Sequence, residues 1–193
     1  MFLVKYQHSS KTEPNKKGDF KIEENTDNKR DRKEKRMVKV FAKLYNLLIE
    51  RAVENQVELS SRQGLFLLYE LLNESVEKHP HNAESQRGFL RFQLECMPKN
   101  KQERICQAMD EVRRLIYEDE TFKLFHWSFG GIISGSDDTL YMDFGSWFIG
   151  RGTQVMIEFL ENGVQPMMNY IKENQIPDSE YEYESLTYAF YFE

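Results

Sequence analysis

The chain has 193 residues, of which 40% are hydrophobic and 30% charged, and its formal net charge is −6. That length predicts one domain with a tail, and the composition suits a globular protein rather than a low-complexity chain. No run of about 18 apolar residues occurs, so no membrane-spanning helix and no membrane partner are expected.

The charge is uneven along the chain. Residues 1–36 hold 11 Lys/Arg against 7 Asp/Glu, a net +4, while the remainder holds 15 basic and 25 acidic residues, a net −10. Met1-Phe2-Leu3-Val4 is interrupted by Lys5 and lacks a signal-peptide apolar core, so a cytoplasmic protein is expected. From Lys11 to Arg36 only Phe20 and Ile22 could enter a core. Such a segment buries too little apolar surface to offset its ordering entropy, which predicts a disordered charged arm over 1–36. Its end, residues 29–36 (KRDRKEKR), has two readings. One is a phosphate-binding patch that tethers nucleic acid. The other is a solvated approach to the first helix, favoured by the interrupting acids and the lack of aromatic platforms.

Val40, Phe41, Leu44, Leu47, Leu48, Ala52 and Val53 recur at spacings of three and four, predicting a helix over 37–57. Ser60 with Gln63 reads as a capping box for a second helix through Leu65, Phe66, Leu68, Leu72 and Val76. His79-Pro80-His81 stops it and reads as a surface turn, because no third ligand lies nearby in sequence. Asn82 can cap a third helix carrying Phe89, Leu90, Phe92 and Leu94, ended by Pro98. Lys99 opens a fourth, with Ile105, Met109, Val112, Leu115 and Ile116 on one stripe. Cys96 and Cys106 read as reduced core thiols. No CxxC or HExxH motif occurs, so no metal and no cofactor are expected. The acidic turn 118–120 precedes an apolar run in which His126 stands beside Trp127. A histidine among aromatics reads first as a hydrogen-bonded core residue and second as a base or ligand.

The stretch from Gly130 to Gly152 combines glycines, adjacent carboxylates and aromatics. Gly130-Gly131 ends one helix. Leu140, Phe144, Trp147 and Phe148 share one face of the next at about 100° per residue, with Met142 and Ile149 opposite. A helix apolar on two faces belongs inside a bundle, so this is the predicted central helix. Asp137 and Asp138 stand at its start. Asp138 can cap it, or Asp137, Asp138 and Asp143 can hold a hard cation or share acid–base work, or engage a partner. Arg151, at the end of the stripe, calls for an acid such as Asp137, Asp138 or one of the 118–120 turn, or for the last carbonyls. Gly150 and Gly152 close the helix.

Ser136-Asp137-Asp138, Asp143-Phe144, Trp147, Ile149 and Gly152 resemble the signature of an uncharacterised bacterial domain-of-unknown-function family, approximately GGxSDDxFxDFRxWLIxxGR. The resemblance covers roughly residues 64–192. Here one extra residue lies between Asp138 and Trp147, Gly145 replaces the arginine after the phenylalanine, and the double glycine is displaced. The resemblance implies a small helical domain and names no reaction, cofactor or substrate.

Val155, Met156, Phe159 and Leu160 predict a further helix ended by Asn162-Gly163, and Pro166 sits in the first turn of the next. From Ser179 the chain alternates Glu with Tyr before Leu186 and Tyr188 to Phe192, and a helix docked on the bundle is expected there. The sequence thus predicts an all-α, single-domain bundle of about seven or eight helices over 37–193. The leading functional expectation is a non-enzymatic intracellular bacterial or phage protein-binding module, immunity-protein- or inhibitor-like, whose acidic body engages a basic partner protein. The competing expectations are a metal-assisted hydrolase built on Asp137, Asp138, Asp143 and His126, and a nucleic-acid-associated protein tethered by its arm. Candidate binding residues are Asp137, Asp138, Asp143, Trp147, Arg151 and His126.

Overall fold

The computed structural model describes residues 23–59, 61–123, 138–177, 180 and 186–192, with backbone alone at 23–31, 33 and 138–143. It is all-α. Among the described residues the bounded α-helices are, in order, α1 (Glu23–Glu54), α2 (Arg62–Lys78), α3 (Ala83–Glu95), α4 (Lys99–Glu118), α5 (Asp138–Ile149), α6 (Gly152–Asn162) and α7 (Val164–Glu173). Residues 120–123 are also helical, and a 3-10 turn covers Thr187–Ala189. No strand occurs among the described residues. The chain divides into two compact units after Arg36.

The helix expected from residue 37 begins at Glu23, so residues 23–36 of the expected arm are helical and residues 1–22 lie outside the described ones. Lys, Arg and Glu are good helix formers, and Arg30/Glu34 and Asp31/Lys35 have the i,i+4 spacing that supports an exposed helix. In the second unit α1 buries Phe41, Leu44, Leu48 and Ala52. Val53, expected on that stripe, is exposed because it stands about 140° from Leu48 around the axis.

The α2 helix packs on α4, and also on α3 and α6. Gly64 permits the close approach to α4: a Cβ there would lie 2.9 Å from the Arg104 carbonyl oxygen. Its cap is Ser61, whose hydroxyl accepts from Gly64 N–H at 3.0 Å, one residue later than expected; Ser60 is outside the described residues. Asn82 caps α3 by accepting from Ser85 N–H at 2.7 Å. Phe92 was expected inside but is 61% exposed, because α3 buries Ala83, Gln86, Leu90 and Leu94 and Phe92 faces away from them. The cysteines are free but not core thiols: Cys96 is exposed and Cys106 half-buried. Burial and the Asp110 carboxylate push the Cys106 thiol up to about 11, so it is neutral near pH 7.

The α5 helix is the centre of the bundle. Every residue from Phe144 to Ile149 is buried, on all faces, as expected of a helix apolar on both sides. Phe122 stacks on Phe144 at 5.5 Å, Phe148 meets Phe159 edge-on at 5.0 Å, and Phe144 stacks on Trp147 at 5.8 Å. Each such side chain contributes about 1.5–3 kcal/mol through burial. Of the helix expected from Ser179, Glu180 is helical and Thr187–Ala189 form a 3-10 turn, while 181–185 lie outside the described residues; Leu186, Ala189 and Phe190 are buried and Tyr188 and Tyr191 exposed. The 3-10 turn packs on α3 and α5.

Among the described residues, Asn55 Nδ2 and the Tyr69 hydroxyl are buried without a hydrogen-bond partner. The Tyr69 hydroxyl lies inside α2's packed face, and burial pushes its pKa up. Tyr69→Phe is therefore expected to raise stability by about 1 kcal/mol, read as a higher denaturation midpoint at unchanged m-value. A lowered midpoint would show that the hydroxyl is bonded after all.

Candidate functional site

The sequence candidates fall into three groups. Asp137 and His126 lie outside the described residues. Asp138 and Asp143 belong to α5, of which Asp138 is the first residue, and their side chains lie outside the described ones. The two positions are five apart, which sets them about 140° apart around the helix axis. Trp147 and Arg151 are fully described, and both are buried.

Arg151 stands two residues past the end of α5, after Gly150, and its guanidinium is buried in the interior. Of the partners the sequence offers it, one of the last carbonyls of α5 is met, and Asp119 of the 118–120 turn is bound to Arg51 instead; the side chains of Asp137 and Asp138 lie outside the described ones. Arg151 Nη2 donates to Gln86 Oε1, Nη1 to the Pro80 carbonyl at 3.0 Å and Nε to the Trp147 carbonyl at 3.3 Å. The guanidinium carbon lies 4.9 Å from the Trp147 ring centroid, a cation–π distance. Gln86 is fixed in turn: its Nε2 donates to Ser75 Oγ and to the Gly150 carbonyl, each at 2.8 Å. Ser75 Oγ donates to the Leu72 carbonyl at 2.7 Å. The network therefore ties α2, α3 and the corner after α5 together. Burial lowers the Arg151 pKa, while Tyr170, through charge and a hydrogen bond, and the Glu180 carboxylate act against that fall. Glu180 also accepts from Ala83 N–H at 2.7 Å, so the chain's acidic C-terminal segment serves the start of α3.

The same corner is held from α2 by Asn73. Its Nδ2 donates to Thr153 Oγ1 at 2.7 Å, and its Oδ1 accepts from Thr153 N–H at 2.9 Å. Gly152 passes this point with φ +85°, and a Cβ there would lie 2.5 Å from Asn73 Oδ1. Glycine satisfies both the left-handed backbone and the close contact.

The acid of the 118–120 turn is claimed by another arginine. Asp119 is buried, its Oδ1 accepts from Phe122 N–H at 2.8 Å, and its Oδ2 lies 3.0 Å from Arg51 Nη1. The turn does launch a helix, as its acids predict, and Asp119 is its cap.

Two clefts lie on a face that the sequence does not single out. A cleft of about 530 Å³ is lined by Arg113, Arg114, Ile116, Phe122, Gly145 and Tyr191, among others. Beyond Tyr191 a shallower cleft of about 380 Å³ is lined by Arg87, Arg91, Phe92, Glu95 and Tyr188. The C-terminal segment runs between them. Arg91 donates to the Tyr191 carbonyl and its guanidinium lies 3.9 Å from the Phe192 ring centroid, while Arg113 Nη1 donates to the Tyr191 hydroxyl at 2.6 Å. The C-terminal aromatics are thus met by arginines rather than rimmed by acids alone. The signal was present as Arg87/Arg91 at i,i+4 and Arg113-Arg114, but which face of α3 and α4 receives the chain end depends on packing.

Among the described residues no group of three or more His, Cys, Asp or Glu side chains is placed to hold a metal ion, and no helix is long and apolar enough to cross a membrane. Comparison with family models, curated proteins and solved structures gives no match.

Proposed function

We propose that the protein is a binding module for another protein, immunity-protein- or inhibitor-like, rather than an enzyme. The observation that carries this reading is the exposed aromatic edge formed by Phe92, Tyr188 and Tyr191, each about half or more exposed on an otherwise packed bundle. Large aromatics are enriched at the cores of interfaces. The net −10 of residues 37–193 favours encounter with a basic partner, and such steering acts on association rate more than on affinity. The described members of the family-like signature support a bundle scaffold: Phe144, Trp147 and Ile149 are core, and Gly152 is a backbone requirement. On this reading the signature marks the fold of a bacterial domain family to which we assign the chain, and the binding surface lies apart from it.

Affinity capture from a lysate of the source organism tests the proposal, with the wild type compared against a Phe92→Ser, Tyr188→Ser, Tyr191→Ser variant of equal stability. A partner held by the wild type and lost by the variant, with association slowed by salt, is the expected result. Equal capture by both proteins, or no saturable partner, would overturn it.

A further inference from the structure

The start of α1 at Glu23 changes the meaning of the charge run at residues 29–36. In sequence its acids interrupt its cations. On a helix, at about 100° per residue, the two separate. Lys29, Arg32, Lys33 and Arg36 fall within an arc of about 100°. The acids of the same segment, Glu23, Glu24, Asp27, Asp31 and Glu34, fall within an equal arc centred on the opposite side. Arg30 and Lys35 stand at the two borders of the acidic arc, at i,i+4 spacing to Glu34 and Asp31.

The cations of the stripe have no such support. Every residue three or four positions from Lys29, Arg32, Lys33 or Arg36 is basic or uncharged. Like charges at that spacing repel, so a polyanion laid along the stripe relieves a repulsion as well as making contacts. Arg32 and Arg36, the two whose side chains are described, are exposed. The chemistry of the segment selects among polyanions. A helix held at an anionic membrane also needs an apolar face, and residues 23–36 contain no Val, Ile, Leu, Met, Phe, Tyr or Trp. A single strand of nucleic acid is held by stacking on aromatic side chains as well as by charge, and the same absence removes that. Duplex nucleic acid needs the charge alone. It offers one phosphate per about 1.7 Å of axis, and the stripe runs about 10 Å from position 29 to position 36 at about 1.5 Å per residue. The interrupting acids that favour a solvated approach in the sequence thus stand on the far face, and the missing aromatic platform bears on single strands only.

We propose that the first half of α1 binds the phosphate backbone of duplex nucleic acid, without reading its sequence, through the stripe Lys29, Arg32, Lys33 and Arg36. The stripe shares no residue with the aromatic edge assigned to a protein partner, and the proposal does not depend on that assignment.

Fluorescence anisotropy of the full chain with a labelled mixed-sequence DNA duplex, at salt from about 50 to about 200 mM, tests it. Log affinity is expected to fall against log salt with a slope of about −3 to −4, about 0.9 for each phosphate neutralised. Two charge-matched variants separate the stripe from net charge. Arg32→Gln with Arg36→Gln is expected to weaken binding about tenfold and to make the slope shallower by about 2. Arg30→Gln with Lys35→Gln, which leaves the stripe intact, is expected to change affinity less than about threefold. Glutamine is a good helix former, so both variants keep α1, and circular dichroism checks this. No binding at about 50 mM salt, equal losses in the two variants, or tighter binding of phosphatidylserine vesicles or polyglutamate than of the duplex would each overturn the proposal.

Discussion

Arg151→Ala is expected to remove about 3–5 kcal/mol of folding stability, a large share of the roughly 5–15 kcal/mol typical of a domain. The substitution removes more than a side chain. Gln86 Oε1 and the Pro80 and Trp147 carbonyls lose their donor inside the protein, and an unpaired buried acceptor costs about 1–3 kcal/mol. The cavity beside Trp147 adds to this. Arg151→Lys is expected to recover only part of the loss, because a single ammonium cannot span three acceptors that a planar guanidinium reaches together. Arg151→Met combined with Gln86→Leu is expected to cost less than the two single changes added, since each alone strands the other's polar atoms. Denaturant midpoints at constant m-value provide the measurement. A loss below about 1 kcal/mol for Arg151→Ala would show that water replaces the guanidinium, and hence that this corner is open.

Much of this fold is legible from periodicity. The stripe of α4 names buried residues throughout, that of α2 does so at Leu65, Leu68 and Leu72 while Phe66 and Val76 are only half-buried, and α5 is buried on both faces through Phe144, Trp147 and Phe148 opposing Ile149. Local chemistry is also legible where it is short-range: Asn82 caps α3, and Gly163 ends α6 with φ +72°. The errors share a different character. Phe92 and Val53 are apolar and close to a stripe, but one or two positions move a residue to the far side of a helix. Arg151 does reach one of the last carbonyls of α5, that of Trp147, as the sequence suggests, but its other partners stand 65 and 71 positions away and are an amide and a carbonyl. Charge pairing in sequence has no means of ranking those above an aspartate. The Arg/Tyr clefts likewise depend on where a single 3-10 turn docks, and one turn leaves almost no periodic trace. Of the six candidate site residues, Trp147 and Arg151 have placed side chains, and both serve the interior of the bundle.

Asp119→Ala is expected to cost about 3 kcal/mol, because one carboxylate does two jobs at a buried joint. Its Oδ1 caps the helical turn at 120–123 through Phe122 N–H, and its Oδ2 meets Arg51 at 3.0 Å. Arg51 is itself shared: it reaches the Leu160 carbonyl of α6 at 3.3 Å and Glu54 at 3.5 Å. The pair therefore fastens α1 to the turn after α4 and to α6, which no apolar contact at that point replaces. Asp119→Asn separates the two roles. The amide oxygen keeps the cap while the charge is lost, so about half of the penalty is expected to remain. A double-mutant cycle with Arg51→Met isolates the ionic part, for which a coupling of about 1–3 kcal/mol is expected between groups in direct contact. Coupling below about 0.5 kcal/mol would mean that Asp119 acts through the cap alone, and Asp119→Asn would then match the wild type. Glu54, exposed and only 3.5 Å from the same guanidinium, provides the internal comparison: Glu54→Ala is expected to cost no more than about 0.5 kcal/mol, because an exposed pair is screened and a buried one is not.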